Sequence, residues 1–192
     1  GYVKVRGIVG NNHAIIENTY NTASVTATKN IAGGITGTTY ANILYSFNSG
    51  DITAEDSVSG GITGALNGAT IIGTYNSGTI HAKFSQAAGL VANSDNGFIR
   101  DSYHFGKVYS EHDLGILIGN QIDANENIII RSYYDIDVYN NSKTGTYKTP
   151  TNVIGNKTYT SGATPLYHGQ MIGTHAIGST KNNMNLNSKD KY

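Results

Sequence analysis

The sequence predicts an all-β fold: a parallel β-helix (β-solenoid) of about five coils with three short strands each, closed by an irregular C-terminal cap. Three features lead to this prediction. One residue pattern returns every 27 or 28 positions, the chain contains 24 glycines, and only 14% of its residues are charged. Short strands cannot bury a hydrophobic face alone, so we expect each strand to pair with its counterpart one repeat later.

The first repeated element is a glycine followed by apolar residues. It starts at five glycines that lie 27, 27, 28 and 26 residues apart: Gly7, Gly34, Gly61, Gly89 and Gly115. The residue after each glycine is expected to face inward, which gives the column Ile8, Ile35, Ile62, Leu90 and Ile116. These side chains are predicted to lie directly above one another in the core.

Two further columns share the same period. In each unit an isoleucine is followed four residues later by an aromatic residue: Ile16/Tyr20, Ile43/Phe47, Ile71/Tyr75, Ile99/Tyr103 and Ile129/Tyr133. A β-branched residue forms the third column: Val25, Ile52, Ile80 and Val108. Turn sequences such as Asn48–Gly50 separate the columns. Three columns in phase favour a solenoid over an antiparallel sandwich, because a sandwich does not require the same residue at a fixed period.

One position between the isoleucine and aromatic columns does not fit unbroken alternation. It holds, unit by unit, Asn18, Tyr45, Gly73, Asp101 and Arg131. Burying an unpaired Asp or Arg is costly, so we expect a bulge or corner there. The small residues that follow would then face inward: Thr19, Ser46, Thr74, Ser102 and Ser132. The aromatic column would face outward as a stack.

The columns end after Tyr134, which divides the chain into a repeat array, residues 1–134, and a C-terminal capping segment, residues 135–192. We expect the capping segment to cover the last strand edge and the end of the apolar core. Residues 181–192 are expected to be loosely held. Because the first repeat begins at the N-terminus with no cap in view, we expect the chain to be part of a larger parent protein.

The capping segment contains one helix signal. Thr164-Pro165-Leu166 has a threonine in the N-cap position followed by a proline in the first helical position. This pattern predicts a short helix over about residues 165–172, in which Leu166 and Met171 pack inward.

The composition argues against several classes of partner. The chain has 13 basic and 13 acidic residues and a formal charge of +0, which argues against nucleic-acid binding. It has no cysteine, so it has neither disulfides nor cysteine-ligated metals. No apolar run reaches the ~20 residues of a membrane span, so no span is expected.

The pattern Ile-x-x-Ser-Tyr/Phe-Asn-Ser-Gly-x-Ile…Gly-Gly-Ile-Thr-Gly, as in Ile43–Gly64, resembles the GLUG-motif repeat of bacterial secreted and surface proteins. That family includes adhesin-like proteins and segments of some immunoglobulin A proteases. The resemblance covers about residues 7–172 and implies an extracellular location, secreted or at the cell surface. It implies no catalytic residue. The longer last repeat, Asn120–Ile130, departs from the pattern.

Candidate catalytic groups cluster at one place in the repeats, with Asp135 one coil further on: Arg100, Asp101, His104, Lys107, Arg131 and Asp135. A glycoside hydrolase would need two carboxylates facing one groove, and a polysaccharide lyase a calcium-binding acid cluster with a base. The acidic residues do not share one column. We therefore interpret the cluster as an exposed ion-pair group on adjacent coils and assign no catalytic residue.

Two acidic segments are similar to the start of a calcium-binding loop. They are Asp123-x-Asn125-x-Asn127 and Asp135-x-Asp137. Both lack the glycine and the bidentate acid that such a loop requires, so we interpret them as polar turns and predict neither metal nor cofactor. The six histidines show no zinc-ligand spacing and are expected at the surface: His13, His81, His104, His112, His168 and His175.

These observations predict a non-enzymatic structural or adhesive β-solenoid module, with a host protein or a glycan as its expected partner. The alternatives are a carbohydrate-active β-helix enzyme and an accessory segment of a large extracellular protease. The aromatic column is the candidate binding surface. It could bind sugars or a protein strand, although mutual stacking that stabilises the coils is the favoured interpretation.

Overall fold

A computed structural model of the chain describes residues 5–112, 114–125, 128–140, 150–158 and 162–171. Within this part, the chain winds into stacked coils that contribute short strands to four sheets of ten, four, five and six strands. In the first five coils the strands pair in parallel with their counterparts 27 to 30 residues away. The predicted parallel β-solenoid of about five coils is confirmed.

Each of the first four coils contains five strands of two to five residues. The first coil has β1 (Val5–Arg6), β2 (Val9–Asn12), β3 (Ile16–Glu17), β4 (Tyr20–Asn21) and β5 (Val25–Ala27). The second has β6 (Ala32–Gly33), β7 (Thr36–Thr39), β8 (Ile43–Leu44), β9 (Phe47–Asn48) and β10 (Ile52–Ala54). The third has β11 (Ser59–Gly60), β12 (Thr63–Asn67), β13 (Thr70–Ile72), β14 (Tyr75–Asn76) and β15 (Ile80–Ala82).

The fourth coil has β16 (Ala87–Ala88), β17 (Val91–Asp95), β18 (Phe98–Arg100), β19 (Tyr103–His104) and β20 (Val108–Ser110). The fifth has β21 (Leu114–Gln121), β22 (Ile129–Ile130) and β23 (Ser132–Asp135). It has two fewer strands. One is lost because β21 is continuous and pairs with both β16 and β17, and the other because α1, not a strand of the four-stranded sheet, follows β23. Two short helices lie in the described part, α1 (Ile136–Asn140) and α2 (His168–Met171), and no helix there has the length and apolarity to cross a membrane.

Each of the first four coils has five strands where three were predicted, because the backbone turns within two of the predicted strands and divides each of them. One predicted strand divides at the position that did not fit alternation, where Tyr45 has a φ of 48° and its counterpart Asp101 a φ of 51°. A left-handed residue rotates the following side chains to the other face. The expected corner is therefore confirmed, and Ser46 and Ser102 are buried as expected.

The inward column of the core is confirmed in the second to fourth coils and differs in the fifth. Ile35, Ile62 and Leu90 are fully buried, and successive members are joined by backbone hydrogen bonds. The prediction that Ile116 continues this column is wrong, because the amide of Leu90 donates to the carbonyl of Leu117 at 3.1 Å. The last spacing is thus 27 rather than 26 residues, and Ile116 lies beside the glycine column instead.

The C-terminal segment adds part of a sixth coil. Strand β24 (Asn152–Ile154) pairs with β21, and β25 (Ala163–Leu166) pairs with β23. The predicted helix start at Thr164 is therefore wrong, and the helix begins at His168. Strand β25 lies at the sheet edge, where the missing amide hydrogen of Pro165 breaks no pairing. Leu166 and Met171 are buried, as predicted, and pack with Tyr133. Residues 181–192 lie outside the described part.

Candidate functional site

The aromatic column forms a stacked stripe along the outside of the coils. The aromatic stripe comprises Tyr20, Phe47, Tyr75, Tyr103 and Tyr133. From Tyr20 to Tyr103 the neighbouring ring centroids are 5.2, 4.9 and 5.0 Å apart, and the ring planes differ by 3° to 8°. Each of these rings therefore stacks on the ring of the next coil, which covers part of the ring faces.

The two ends of the aromatic stripe differ in exposure. Tyr20, on the first coil, is 63% exposed, whereas Tyr133, on the fifth, is buried at 7% beneath the C-terminal segment. Phe105 stacks beside the stripe, with its ring centroid 6.2 Å from Tyr75 and 5.9 Å from Tyr103. Burial raises the pKa of the Tyr75 hydroxyl. The stripe is therefore open at the first coil and closed at the fifth.

A second column of polar side chains, which we call the asparagine ladder, lies inside the coils. It comprises Asn21, Asn48, Asn76 and His104. The Nδ2 of Asn21 donates to Oδ1 of Asn48 at 2.7 Å, and Nδ2 of Asn48 donates to Oδ1 of Asn76 at 2.7 Å. Each Nδ2 also donates to the backbone carbonyl two residues later. The ladder satisfies buried amides that would otherwise destabilise the core.

His104 ends the asparagine ladder. It is fully buried, and its Nδ1 lies 3.1 Å from Nδ2 of Asn76 and 3.0 Å from the Asn76 carbonyl oxygen. Burial lowers the pKa of His104 to about 4, so the imidazole is neutral at pH 7. The prediction that all the histidines lie at the surface is therefore wrong for His104. Side chains alternate between the two faces of a strand, so the residue after the outward-facing Tyr103 is expected to face inward. This alternation could have identified His104 as buried.

The glycine column lies across the narrow interior from the asparagine ladder. A Cβ atom built on Gly34 would lie 2.5 Å from Cγ of Asn48, and one built on Gly61 would lie 2.5 Å from Cγ of Asn76. No side chain fits between these atoms. The glycine-led element and the aromatic-Asn-Ser-Gly turn thus form two halves of one packed layer, a contact that the repeat pattern did not predict.

The predicted catalytic cluster is divided between the surface and the interior. Arg131 binds both carboxylate oxygens of Asp101, at 2.7 and 2.8 Å, and Arg100 approaches the same carboxylate at 3.3 Å. Lys107 is exposed, while His104 faces the interior. The arginines and Asp101 therefore form the expected exposed ion-pair group on adjacent coils, and the structure brings no second carboxylate of the described residues to it.

Asp135 belongs to a separate group that joins the two helices. Its buried carboxylate lies 2.5 Å from Nδ1 of the half-exposed His168 and accepts the backbone amide of Asp137 at 2.9 Å. Oδ2 of Asp137 accepts the backbone amide of His168 at 2.9 Å. A buried carboxylate that orients an imidazole is the arrangement here closest to acid–base chemistry. It also fixes α2 against the start of α1.

Asp123 forms a polar turn, as predicted. Its carboxylate accepts hydrogen bonds from Gln121 and from the backbone amides of Asn125 and Asn96. Although partial burial opposes ionisation, these bonds hold the pKa of Asp123 below its usual value. Asn127 lies outside the described residues. In the described part of the chain, no group of three or more His, Cys, Asp or Glu side chains is arranged to hold a metal ion.

Comparisons with protein-family models, with curated proteins and with solved structures find no match to this chain. The resemblance to the GLUG-motif repeat therefore stays a prediction.

Proposed function

We propose that the protein is a non-enzymatic structural and adhesive module of a bacterial secreted or cell-surface protein. The solenoid supplies a stacked segment within a longer molecule, and its outer face contacts a host protein or a glycan. The observation that carries the proposal is the aromatic stripe, whose rings stack from coil to coil along the outside of the array.

The bonding of the candidate catalytic groups supports a structural role. Asp101 is bound to Arg131 on the next coil, Asp135 is bound to His168 in the C-terminal segment, and His104 is enclosed in the core. Each group thus joins one coil or helix to another instead of facing a shared groove. The proposed bacterial and extracellular origin rests on the GLUG-like pattern of Ile43–Gly64.

The geometry of the aromatic stripe indicates how a partner would bind. Aromatic edges carry partial positive charge, so edges that a partner reaches would attract its carbonyl and hydroxyl oxygens. A sugar ring that stacks on an aromatic face needs a free face, and the stacking of Phe47, Tyr75 and Tyr103 covers part of these faces. We therefore expect contacts along the edges of the stripe.

Binding of the full chain to arrays of host extracellular-matrix proteins and glycans tests the adhesive role. We expect the double variant Tyr75→Ser/Tyr103→Ser, assayed at a temperature where it is folded, to bind at least tenfold more weakly than the unchanged chain. Tyr40→Ser is the matched control, because Tyr40 is an exposed aromatic residue outside the stripe. Equal loss in both variants, or no binding by the unchanged chain, would contradict the proposal.

A second assay addresses the enzymatic alternative. The chain is incubated with a panel of acidic and neutral polysaccharides, and reducing ends and unsaturated products are measured. We expect neither to exceed the buffer control. Product formation that is lost in His168→Ala and kept in His112→Ala would show that the protein is an enzyme and overturn the proposal.

A further inference from the structure

Two asparagines in the sequence are followed by a glycine, and both lie at the same corner of the coils. Asn67 is the last residue of β12 in the third coil, whereas Asn96 comes directly after β17 in the fourth. Their positions differ by one, because Asn67 pairs with Asp95. The left-handed residue of this corner is Gly68 in the third coil, with a φ of 62°, and Asn96 in the fourth, with a φ of 51°. The same dipeptide therefore has two different environments in one molecule.

Asn67 lies in a paired strand that holds the peptide nitrogen after it. The Asn67 side chain is half-buried, and the backbone amide of Gly68 donates to the carbonyl oxygen of Asp95 at 2.9 Å. An amide that is engaged as a hydrogen-bond donor reacts only when this bond opens, and pairing between stacked coils opposes the opening. The fold thus protects the nitrogen that follows Asn67.

Asn96 is exposed, and the nitrogen after it is not engaged in the same way. Nδ2 of Asn96 donates to Oδ1 of Asp95 at 3.0 Å, an exposed hydrogen bond for which water competes. The backbone amide of Asn96 donates to Oδ2 of Asp123 at 2.8 Å, which fixes the corner. No described residue accepts a hydrogen bond from the backbone amide of Gly97. Because Gly97 has no side chain, nothing on its own Cα shields this nitrogen.

We propose that Asn96 is a site of spontaneous deamidation and that the fold protects Asn67 from the same reaction. The backbone nitrogen of Gly97 attacks Cγ of Asn96, and the new N–Cγ bond closes a cyclic imide. The Cγ–Nδ2 bond breaks, and ammonia leaves with the proton that the Gly97 nitrogen gives up. Water then opens the imide. Cleavage of the bond to Cγ yields aspartate, and cleavage of the bond to the main-chain carbonyl carbon yields isoaspartate. The inference rests on this corner and not on the adhesive role.

The modification changes the charge of the corner. The product carries a new carboxylate in place of the amide that contacts Asp95, close to the carboxylate of Asp123. Like charges this close repel each other, so the corner of the fourth coil becomes electrostatically less favourable. The formal charge of the chain, which is +0, falls by one at pH 7. Modified and unmodified chains can therefore be separated by ion exchange.

Peptide mapping by mass spectrometry measures both sites in one sample. The full chain is incubated at mildly alkaline pH, folded in buffer and unfolded in guanidinium chloride. The mass increase of about 1 Da and the isoaspartate content are followed at each asparagine. The unfolded sample is the internal reference, because it presents the same Asn-Gly dipeptide twice without the fold. We expect similar rates at the two sites in this sample.

In the folded chain we expect Asn96 to be modified at least tenfold faster than Asn67. Asn96→Gly should remove most of the modification of the folded chain, and it keeps the backbone conformation that Gly68 has in the third coil. Asn67→Thr is the matched control and should leave the rate of the folded chain unchanged. A ratio below tenfold between the two sites of the folded chain would overturn the inference. Modification that persists at the parental rate in Asn96→Gly would overturn it as well.

Discussion

A Cβ atom on Gly89 would lie 2.2 Å from Cδ2 of His104, so these two residues leave no space between them inside the fourth coil. The same contact joins a glycine to an asparagine in the preceding coils. The glycine column is therefore needed because a polar ladder runs beside it. This relationship explains why glycine and asparagine return with the same period, and it makes the interior of the coil sensitive to very small changes.

Gly61→Ala tests this packing. The added methyl group would lie 2.1 Å from the carbonyl oxygen of Gly89 and 2.5 Å from Cγ of Asn76, so a coil must shift. We expect a loss of about 3 kcal/mol in the free energy of unfolding, measured by urea denaturation. Gly169→Ala is the control, because no atom lies within 4 Å of the added carbon, and it should change stability by less than about 1 kcal/mol. Equal effects would contradict the layer packing.

His104 makes the fold sensitive to mild acid. Its pKa falls from the ordinary value of 6.5 to about 4 in the folded state, so unfolding becomes easier as the unfolded chain takes up a proton. The stability contributed by the neutral imidazole is complete above pH 6.5 and is lost between pH 6.5 and about 4. A pKa shift of this size corresponds to a loss of about 3 kcal/mol in the free energy of unfolding once the pH is below both pKa values.

The variant His104→Asn isolates this effect. An asparagine extends the ladder, because its Oδ1 can accept the amide of Asn76, and it cannot be protonated in this range. We expect the melting temperature of His104→Asn to be close to that of the parent at pH 7. Between pH 6.5 and 4 it should fall less steeply with decreasing pH than that of the parent. His112→Asn, at an exposed position, should keep the parental pH profile. A parental profile in His104→Asn would mean that another group causes the acid sensitivity.

Tyr75 lies at the centre of the aromatic stripe and contacts three rings, those of Phe47, Tyr103 and Phe105. Tyr75→Phe keeps the stacking and should change stability by less than about 1 kcal/mol, whereas Tyr75→Ser removes it and should cost about 2 to 3 kcal/mol. Calorimetric melting curves measure both. Tyr40→Ser is the control, because Tyr40 stacks on His13 alone among the described rings. If Tyr40→Ser lost as much stability as Tyr75→Ser, this result would argue against stabilisation of the coils by stacking in the stripe.

Much of the fold could be predicted because stacked coils place equivalent residues at a fixed spacing in the sequence, and this spacing gives the register between their strands. The register of the fifth coil could not be predicted, because four of the five residues from Leu114 to Ile118 are apolar. By pattern alone, either Ile116 or Leu117 could face inward. The asparagine ladder was missed for another reason. Asn-Ser-Gly is typical of an exposed turn, whereas in the structure the Asn76 side chain is enclosed and packs against Gly61 of the same coil.

The ion pair between Asp101 and Arg131 offers the last test, because two effects oppose each other at the left-handed corner. Both residues have a positive φ, 51° and 43°, which costs about 1 kcal/mol for a residue with a side chain, while the exposed ion pair returns about the same. Asp101→Gly removes the pair and relieves the backbone, so we expect stability within about 1 kcal/mol of the parent. Asp101→Ala removes the pair without relieving the backbone and should be the less stable of the two. Because neither variant has the ion pair, their difference in stability reports the backbone conformation alone, which the third coil achieves with Gly73. If urea denaturation shows Asp101→Gly to be the less stable variant, the positive φ does not cost stability at this corner.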